Sequence, residues 1–506
     1  MCRRQLRVRS SRTWGTISRR RGISLTTDAA IAVEETGFGR LGRWVGLVLG
    51  PALALGLQLL PPPEGLSPEA WRVVSLAALM VTFWVTEAIP IYATAMLPLV
   101  VLPLVGAVNM RAAAAPYADP IVFLFIGGFM LAACVERWHL HERIALSIAS
   151  LAGGRPIALV GGFMLASALI SMWISNTATT LMLAPIAIGA AHALSAGGKP
   201  DLALGGALTL GVAHAATIGG VATPVGSPTN LIGIAFFERA GEPMAFIEWM
   251  GRALPMVLVM LPLAWLLLCW PLFGRKGHAR FDAIGEVVRN ALKKLGRISA
   301  PEVRIGIVFL LVALAWMSRT ELVKLPGLSA LTDTGIAVAG ALALFFIPSG
   351  RGKGEKLINW KTAQGIPWGI AVLFGGGLSL AAAMEATGLA AWIGDYIAGL
   401  EGVSAIGLVA VLVVATILVS ELASNVATLT SMLPVVAAVA TATDAPLQPL
   451  AFPVAIAASF AFMLPVATAP NAIAYSTGLI TLKRMLSVGI ALNLAAALLI
   501  VAYAAA

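Results

Sequence analysis

Residues 171–185 and 420–434 spell one phrase twice: Ser171-x-x-x-Ser175-Asn176-Thr177-Ala178-Thr179, ending in Pro185, and Ser420-x-x-x-Ser424-Asn425-Val426-Ala427-Thr428, ending in Pro434. Every residue of the second copy lies 249 positions after its counterpart. A second phrase keeps that spacing: Phe125-x-Gly127-Gly128-x-x-Leu131-Ala132-Ala133-x-x-Glu136 returns as Phe374-x-Gly376-Gly377-x-x-Leu380-Ala381-Ala382-x-x-Glu385. Chance matches in apolar sequence would drift, so two phrases at one offset mean a duplicated chain. Both Ser-Asn copies interrupt runs apolar enough to lie in lipid, and polar residues at membrane depth mark functional sites by default.

Composition sets the solvent. Hydrophobic residues make up 59% of the 506 and charged residues only 11%, with mean hydropathy +0.90, whereas about a quarter of a soluble domain is charged. The chain reads as an all-α polytopic membrane protein. Its net charge of +10 sits in short connections between apolar runs, where the positive-inside rule accounts for it without nucleic acid. Cys2, Cys134 and Cys269 have neither metal nor disulfide spacing. Residues 1–43 carry ten Arg and no apolar run, and read as a disordered cytoplasmic tail.

About 20 apolar residues are needed to cross a bilayer. Spans are expected near 44–60, 70–88, 91–108 and 118–137, followed by an amphipathic piece at 139–151. The stretch 156–194 is broken by Ser175-Asn176-Thr177; one overlong span, two spans and a re-entrant hairpin all accommodate it. The stretch 201–240 is broken at Thr223-Pro224-Val225-Gly226-Ser227-Pro228-Thr229-Asn230, where the prolines interrupt the helical ladder. Such a break is tolerated only where the backbone lines a cavity or is buried in protein. A span at 249–273 closes a first repeat over 44–273. The polar segment 274–303 is a cytoplasmic linker, and a second repeat occupies 304–506, with spans near 304–318, 331–347, 365–386 and 484–504. Its interrupted stretch is 403–443 and its broken one is 449–479, where Ala469-Pro470-Asn471 answers Pro228-Thr229-Asn230.

Loop charge sets the orientation. With both interrupted stretches as hairpins, six crossings separate the tail from the linker, so both lie inside with Arg351, Lys356, Lys361, Lys483 and Arg484, while Glu238, Glu242, Glu248 and Glu385 lie outside. An odd number of crossings separates the Phe125 helix from the Phe374 helix. The halves are therefore inverted, the signature of a secondary transporter with its site at mid-membrane. About 11 transmembrane helices plus two re-entrant hairpins are expected, in a cell membrane, with the N-terminus inside and the C-terminus outside.

The polar tips suit an anion. Broken half-helices offer free N–H groups and roughly half a positive charge at their N-termini. Asn176 and Asn425 add amide donors, and Ser175, Thr177, Ser424 and Thr468 add hydroxyls. Neither phrase contains Arg or Lys, so a mobile cation must balance the anion's charge. A hard cation wants oxygen ligands. Ser171, Ser175 and Asn176 with Thr223 and Gly226 of the first break make one candidate site; Ser420, Ser424 and Asn425 with Ala467 of the second make the other. Val426, where the first copy has Thr177, leaves the second tip one hydroxyl poorer, which is where substrate choice is expected to be decided.

Other motifs give way to plainer readings. The glycine pairs follow no strand and are packing positions rather than phosphate loops. His214 reads as a packed histidine, and the His141-Glu142 phrase lacks the second His of a zinc site. Among the residues no nucleophile and base pair stands out, so an enzyme is not expected, nor an organic cofactor.

The Ser-Asn tips, the two proline breaks and the paired Phe-x-Gly-Gly helices, in this order from about residue 44 onward, resemble the divalent-anion sodium symporter (DASS, or INDY-type) family. The resemblance implies two sodium sites at these positions, a carboxylate-bearing substrate between them, a homodimer, and an elevator-type motion of a transport domain against a scaffold. C4 dicarboxylates such as succinate, malate or fumarate are the expected substrates; a sodium-independent exchanger and a citrate or sulfate symporter of the same fold are the alternatives. Bringing in a dianion at about 100 mV inside-negative costs roughly 4.6 kcal/mol. One sodium down a roughly tenfold gradient returns about 3.7 kcal/mol. At least two sodium ions per dianion are therefore expected.

Overall fold

In the computed structural model, residues 37–152, 155–192, 202–272, 282–352, 354–398, 405–443 and 445–505 are described; most of the expected tail and the first part of the linker lie outside them. The described residues form helices and no strand. The first half comprises α1 (Gly37–Gln58), α2 (Pro68–Thr86), α3 (Ile91–Thr94), α4 (Leu97–Leu104), α5 (Met110–Ala114), α6 (Pro120–Arg137), α7 (Leu140–Ser150), α8 (Pro156–Ser171), α9 (Asn176–His192), α10 (Leu202–Gly220), α11 (Pro228–Arg239) and α12 (Phe246–Cys269). A linker helix α13 (Asp282–Lys294) follows. The second half holds α14 (Ala300–Leu322), α15 (Asp333–Phe346), α16 (Trp360–Gln364), α17 (Trp368–Ala386), α18 (Leu389–Ala398), α19 (Ala405–Ser420), α20 (Asn425–Thr443), α21 (Leu447–Ser459), α22 (Ala469–Ser476) and α23 (Leu482–Ala505).

Local chemistry explains many of the boundaries. Ser67 caps α2 through the Ala70 N–H, with Pro68 at the first helical position, and Asp119 followed by Pro120 starts α6 in the same way. Asn109 and Asn359 cap the short helices α5 and α16 at corresponding places in the two halves. The expected span 91–108 differs: it is split into α3 and the eight-residue α4, because Pro98 starts a new helix and Pro103 with Gly106 ends it. The linker carries the strongly amphipathic α13, which packs on α7 and α9. Arg143 of α7 ties its end down, pairing with Glu302 at 2.9 Å and donating to the carbonyls of Leu295, Gly296 and Arg297.

The duplication is visible in space. Phe125 and Phe374, equivalent residues of the two halves, meet edge to face with ring centroids 4.5 Å apart. The glycines beside them admit close packing: a Cβ on Gly127 would meet the Ala337 main chain at 2.7 Å, and one on Gly376 would meet Ala95. α10 is the central helix, packed against α8, α9, α12 and α22, with 83% of its apolar window buried. α21 takes the matching place against α19, α20 and α11.

Seven helices among the described residues are long and apolar enough to cross a bilayer. The arms α8 and α19 have 16 residues each, about 24 Å at 1.5 Å per residue, short of the roughly 30 Å hydrocarbon core.

Candidate functional site

Each Ser-Asn phrase sits where two short helices meet tip to tip, α8 with α9 and α19 with α20, and each tip faces the break of the following long helix. In the first unit α10 ends at Gly220 and α11 begins at Pro228. In the second α21 ends at Ser459 and α22 begins at Ala469, capped by the Thr468 hydroxyl, which accepts from the Asn471 N–H at 3.3 Å.

The breaks are built alike. Asn230, in the first turn of α11, reaches back and donates its side-chain amide to Gly220 O at 2.8 Å and Thr223 O at 2.7 Å. Asn471, 241 positions later, does the same to Ala461 O at 2.9 Å and Leu464 O at 3.1 Å, which also lie 241 after Gly220 and Thr223. One amide thus satisfies two carbonyls that a helix break leaves without partners. These bonds fix which amide atom is nitrogen, and the oxygens, Asn230 Oδ1 and Asn471 Oδ1, are buried without a protein partner.

The first tip closes over its break. Ser171 Oγ donates to Asn176 Oδ1 at 2.5 Å, the Thr223 hydroxyl donates to Met172 O, and Ser175 Oγ caps α9 through the Ala178 N–H at 3.2 Å. The Asn176 amide lies on Gly220, where a Cβ would collide with it. At Gly226 three main-chain oxygens converge on the space a Cβ would fill: Gly220 O at 2.5 Å, and Ser171 O and Met172 O at 2.9 Å. A cradle of carbonyls with hydroxyls beside it fits a hard monovalent cation.

The second tip is joined to its break by different bonds. Ser420 Oγ donates to Ala458 O at 3.2 Å, and Asn425 donates to Ser459 O at 3.5 Å, leaving Asn425 Oδ1 buried without a partner. Ala467 stands where the first break has Gly226. Glu421, 3% exposed, accepts from three successive main-chain N–H groups, Phe462 at 2.7 Å, Met463 at 2.9 Å and Leu464 at 3.0 Å, and from Asn493 at 2.6 Å.

A hydroxyl chain links the two halves. Ser227 and Thr229 of the first break lie 2.7 Å apart, and Thr229 lies 2.6 Å from Ser459 at the end of α21. Ser459 therefore touches the first break through its hydroxyl and the second tip through its carbonyl.

A model of the sodium:sulfate symporter transmembrane region matches residues 41–506. The chain belongs to the sodium:sulfate symporter family. It is 38% identical over 470 residues to the sodium-dependent dicarboxylate transporter SdcS of Staphylococcus saprophyticus, a match covering 91% of this chain and 90% of that one. SdcS of Staphylococcus aureus strain NCTC 8325 / PS 47 is 36% identical over the same share. The crystal structure of the Alcanivorax borkumensis YdaH transporter is similar in fold, with a TM-score of 0.52 at 14% identity over 92% of this chain and 98% of that one.

Within this symporter-family fold the expected residues fall into two depths. Ser171, Thr223, Gly226, Ser420 and Ala467, expected as cation ligands, are buried. Thr177, Val426 and Thr468, expected to meet substrate, are half-buried, as are Ser175, Asn176, Ser424 and Asn425, which belong to both sets. Sequence reading did not include Glu421, Ser459, Asn230, Asn471 or Asn493 in the site. Asn230 and Asn471 were within reach, as equivalent polar residues just after the two breaks. Glu421 occupies an unread position inside the second phrase. Ser459 is one serine at the end of an apolar run, and nothing in the sequence singles it out.

Proposed function

We propose that this protein is a sodium-coupled symporter importing C4 dicarboxylates such as succinate, malate or fumarate. The observation that carries this is the carbonyl cradle at Gly226 beside half-buried amide and hydroxyl groups, in tips and breaks whose sequences contain no Lys or Arg. Neutral dipoles bind a dianion weakly on their own, and cations in the neighbouring cradle supply the missing charge. The naming of the SdcS relatives as sodium-dependent dicarboxylate transporters supports the same reading.

In this reading Ser175, Asn176, Thr177, Ser424, Asn425, Val426 and Thr468 line the substrate position. Ser171, Ser175, Asn176, Thr223 and Gly226 hold one sodium, and Ser420, Ser424, Asn425 and Ala467 hold a second. The chain works as a homodimer in the cell membrane, N-terminus inside and C-terminus outside, with the tips and broken helices sliding against the remainder. An apolar face suits such sliding: Ile232 and Phe236 of α11 and Leu433 and Pro434 of α20 meet Phe374 and Leu378 of α17 around one cavity. Arg239 of α11, paired with Asp119 at 3.2 Å and donating to Leu378 O at 2.7 Å, is a polar tie the motion has to break.

Uptake of labelled succinate into proteoliposomes tests the function. Uphill accumulation is expected with an inward sodium gradient and not with potassium in its place. Competition by citrate or sulfate stronger than by malate and fumarate would reassign the substrate, and accumulation without sodium would make the protein an exchanger. Two sodium ions per dianion leave about 2.8 kcal/mol for accumulation at a tenfold gradient, whereas one falls short of the cost. A measured one-to-one coupling during uphill uptake would refute the stoichiometry.

A further inference from the structure

The two breaks share the Asn230 and Asn471 braces, yet only the second holds a carboxylate. The position equivalent to Glu421 in the first repeat is Met172, whose carbonyl accepts from Thr223. A broken helix of this design therefore forms without an acid, so formation of the break does not account for Glu421.

The donors around Glu421 say what it does. Phe462, Met463 and Leu464 are consecutive, and a trans peptide is planar with its C=O opposed to the next N–H. Drawing those three N–H groups onto one carboxylate turns the carbonyls of Ala461, Phe462 and Met463 the other way. Ala461 O is indeed found on the far side, accepting from Asn471 at 2.9 Å. All four partners of Glu421 donate, as an ionised carboxylate, which only accepts, requires. Among the described residues no Lys or Arg pairs with it; the hydrogen bonds satisfy its oxygens and leave its charge. A buried charge without a counter-ion is costly, and a cation entering beside Ser420 lies one residue away from it.

We propose that Glu421 is a positioning residue for the second cation site. It holds the unwound chain at 461–464 with its carbonyls turned out, and its charge makes this site fill before the neutral Gly226 site and before the dianion. The first break has Gly226 and no acid; the second has Ala467, whose methyl occupies the equivalent space, and gains its cation affinity from Glu421 instead. The inference rests on the sodium-coupled reading above.

The test is sodium activation of succinate uptake in proteoliposomes, together with sodium-dependent thermal stabilisation of the purified full chain in detergent without substrate. Glu421→Gln keeps the size but places an amide against main-chain donors. It is expected to raise the sodium concentration for half-maximal uptake by on the order of 10–100-fold, the usual consequence of losing an outer-shell partner, and to abolish most of the sodium stabilisation. Glu421→Asp recovers part of both, and the succinate KM at saturating sodium moves far less than the sodium requirement. A scaffold role alone would lower thermal stability equally with and without sodium, and that result overturns the proposal. Should Glu421→Gln yield no monodisperse protein, Asn493→Ala gives the reading, since it frees one carboxylate oxygen and keeps the charge; an unaltered sodium activation there overturns the proposal too. Wild-type uptake indifferent to sodium refutes the functional reading itself and this inference with it, whereas a sodium-dependent wild type with a wild-type-like Gln variant refutes this inference alone.

Discussion

Gly226→Ala is expected to abolish sodium-driven uptake, by on the order of 100-fold or more, the scale on which a misplacement of about 1 Å acts at a preorganised site. The added Cβ would sit 2.5 Å from Gly220 O and 2.9 Å from Ser171 O and Met172 O. All three are main-chain atoms, so no side chain can swing aside. The tip and the break must move apart, at an overpacking cost of about 1–3 kcal/mol, and the methyl occupies the space where the carbonyls converge. The variant is expected to remain monodisperse in detergent, because only one acceptor of the Asn230 brace, Gly220 O, meets the added methyl, while the bond to Thr223 O is left in place. Ala467→Gly, the reciprocal change in the second break, is expected to transport within about twofold of wild type, a difference of about 0.4 kcal/mol. Uptake by Gly226→Ala with a wild-type sodium requirement would refute the first site.

Asn176→Ala and Asn425→Ala are the second pair of large effects, each expected to reduce sodium-driven succinate uptake on the order of 10–100-fold. In the first, the Ser171 hydroxyl loses its acceptor at 2.5 Å and the amide resting on Gly220 is gone; a buried group left without its partner costs about 1–3 kcal/mol. In the second, the bond to Ser459 O is long at 3.5 Å and Asn425 Oδ1 has no protein partner, so the loss falls on ligand binding more than on the fold. Asn176→Ala is therefore expected to lower the melting temperature more than Asn425→Ala, with both raising the succinate KM. Normal transport by both variants would refute the site assignment.

How legible the site was depended on where its information lies. The doubled tip was legible from two phrases at one offset and the two breaks from their prolines; burial of Ser171, Thr223 and Ser420 with Thr177 and Val426 half-buried became visible only in the fold. The close-packing reading of the glycine pairs also matches: Gly127 and Gly376 lie against the main chain of other helices. His214, expected as a packed histidine, is buried edge to face against Phe462, with ring centroids 5.1 Å apart. The reading of 91–108 as one span gave way to two short helices because three helix breakers, Pro98, Pro103 and Gly106, outweigh its hydropathy. The linker's helix α13 was read only as charge, although its apolar residues recur with helical spacing.

The sequence by itself determined that there are two copies of one plan, that each carries a polar tip and a helix break, and that neither the tips nor the breaks contain Lys or Arg. Those properties are carried by residue identity and spacing along one chain. Only the tertiary structure decided that carbonyls converge at Gly226, that Ser459 joins the two halves and that Glu421 gathers three N–H groups of a segment 41 to 43 residues away. Main-chain carbonyls and amides are the same in every residue, so the sequence does not mark which of them are turned toward a common point. That direction is set by how the tip and the break pack.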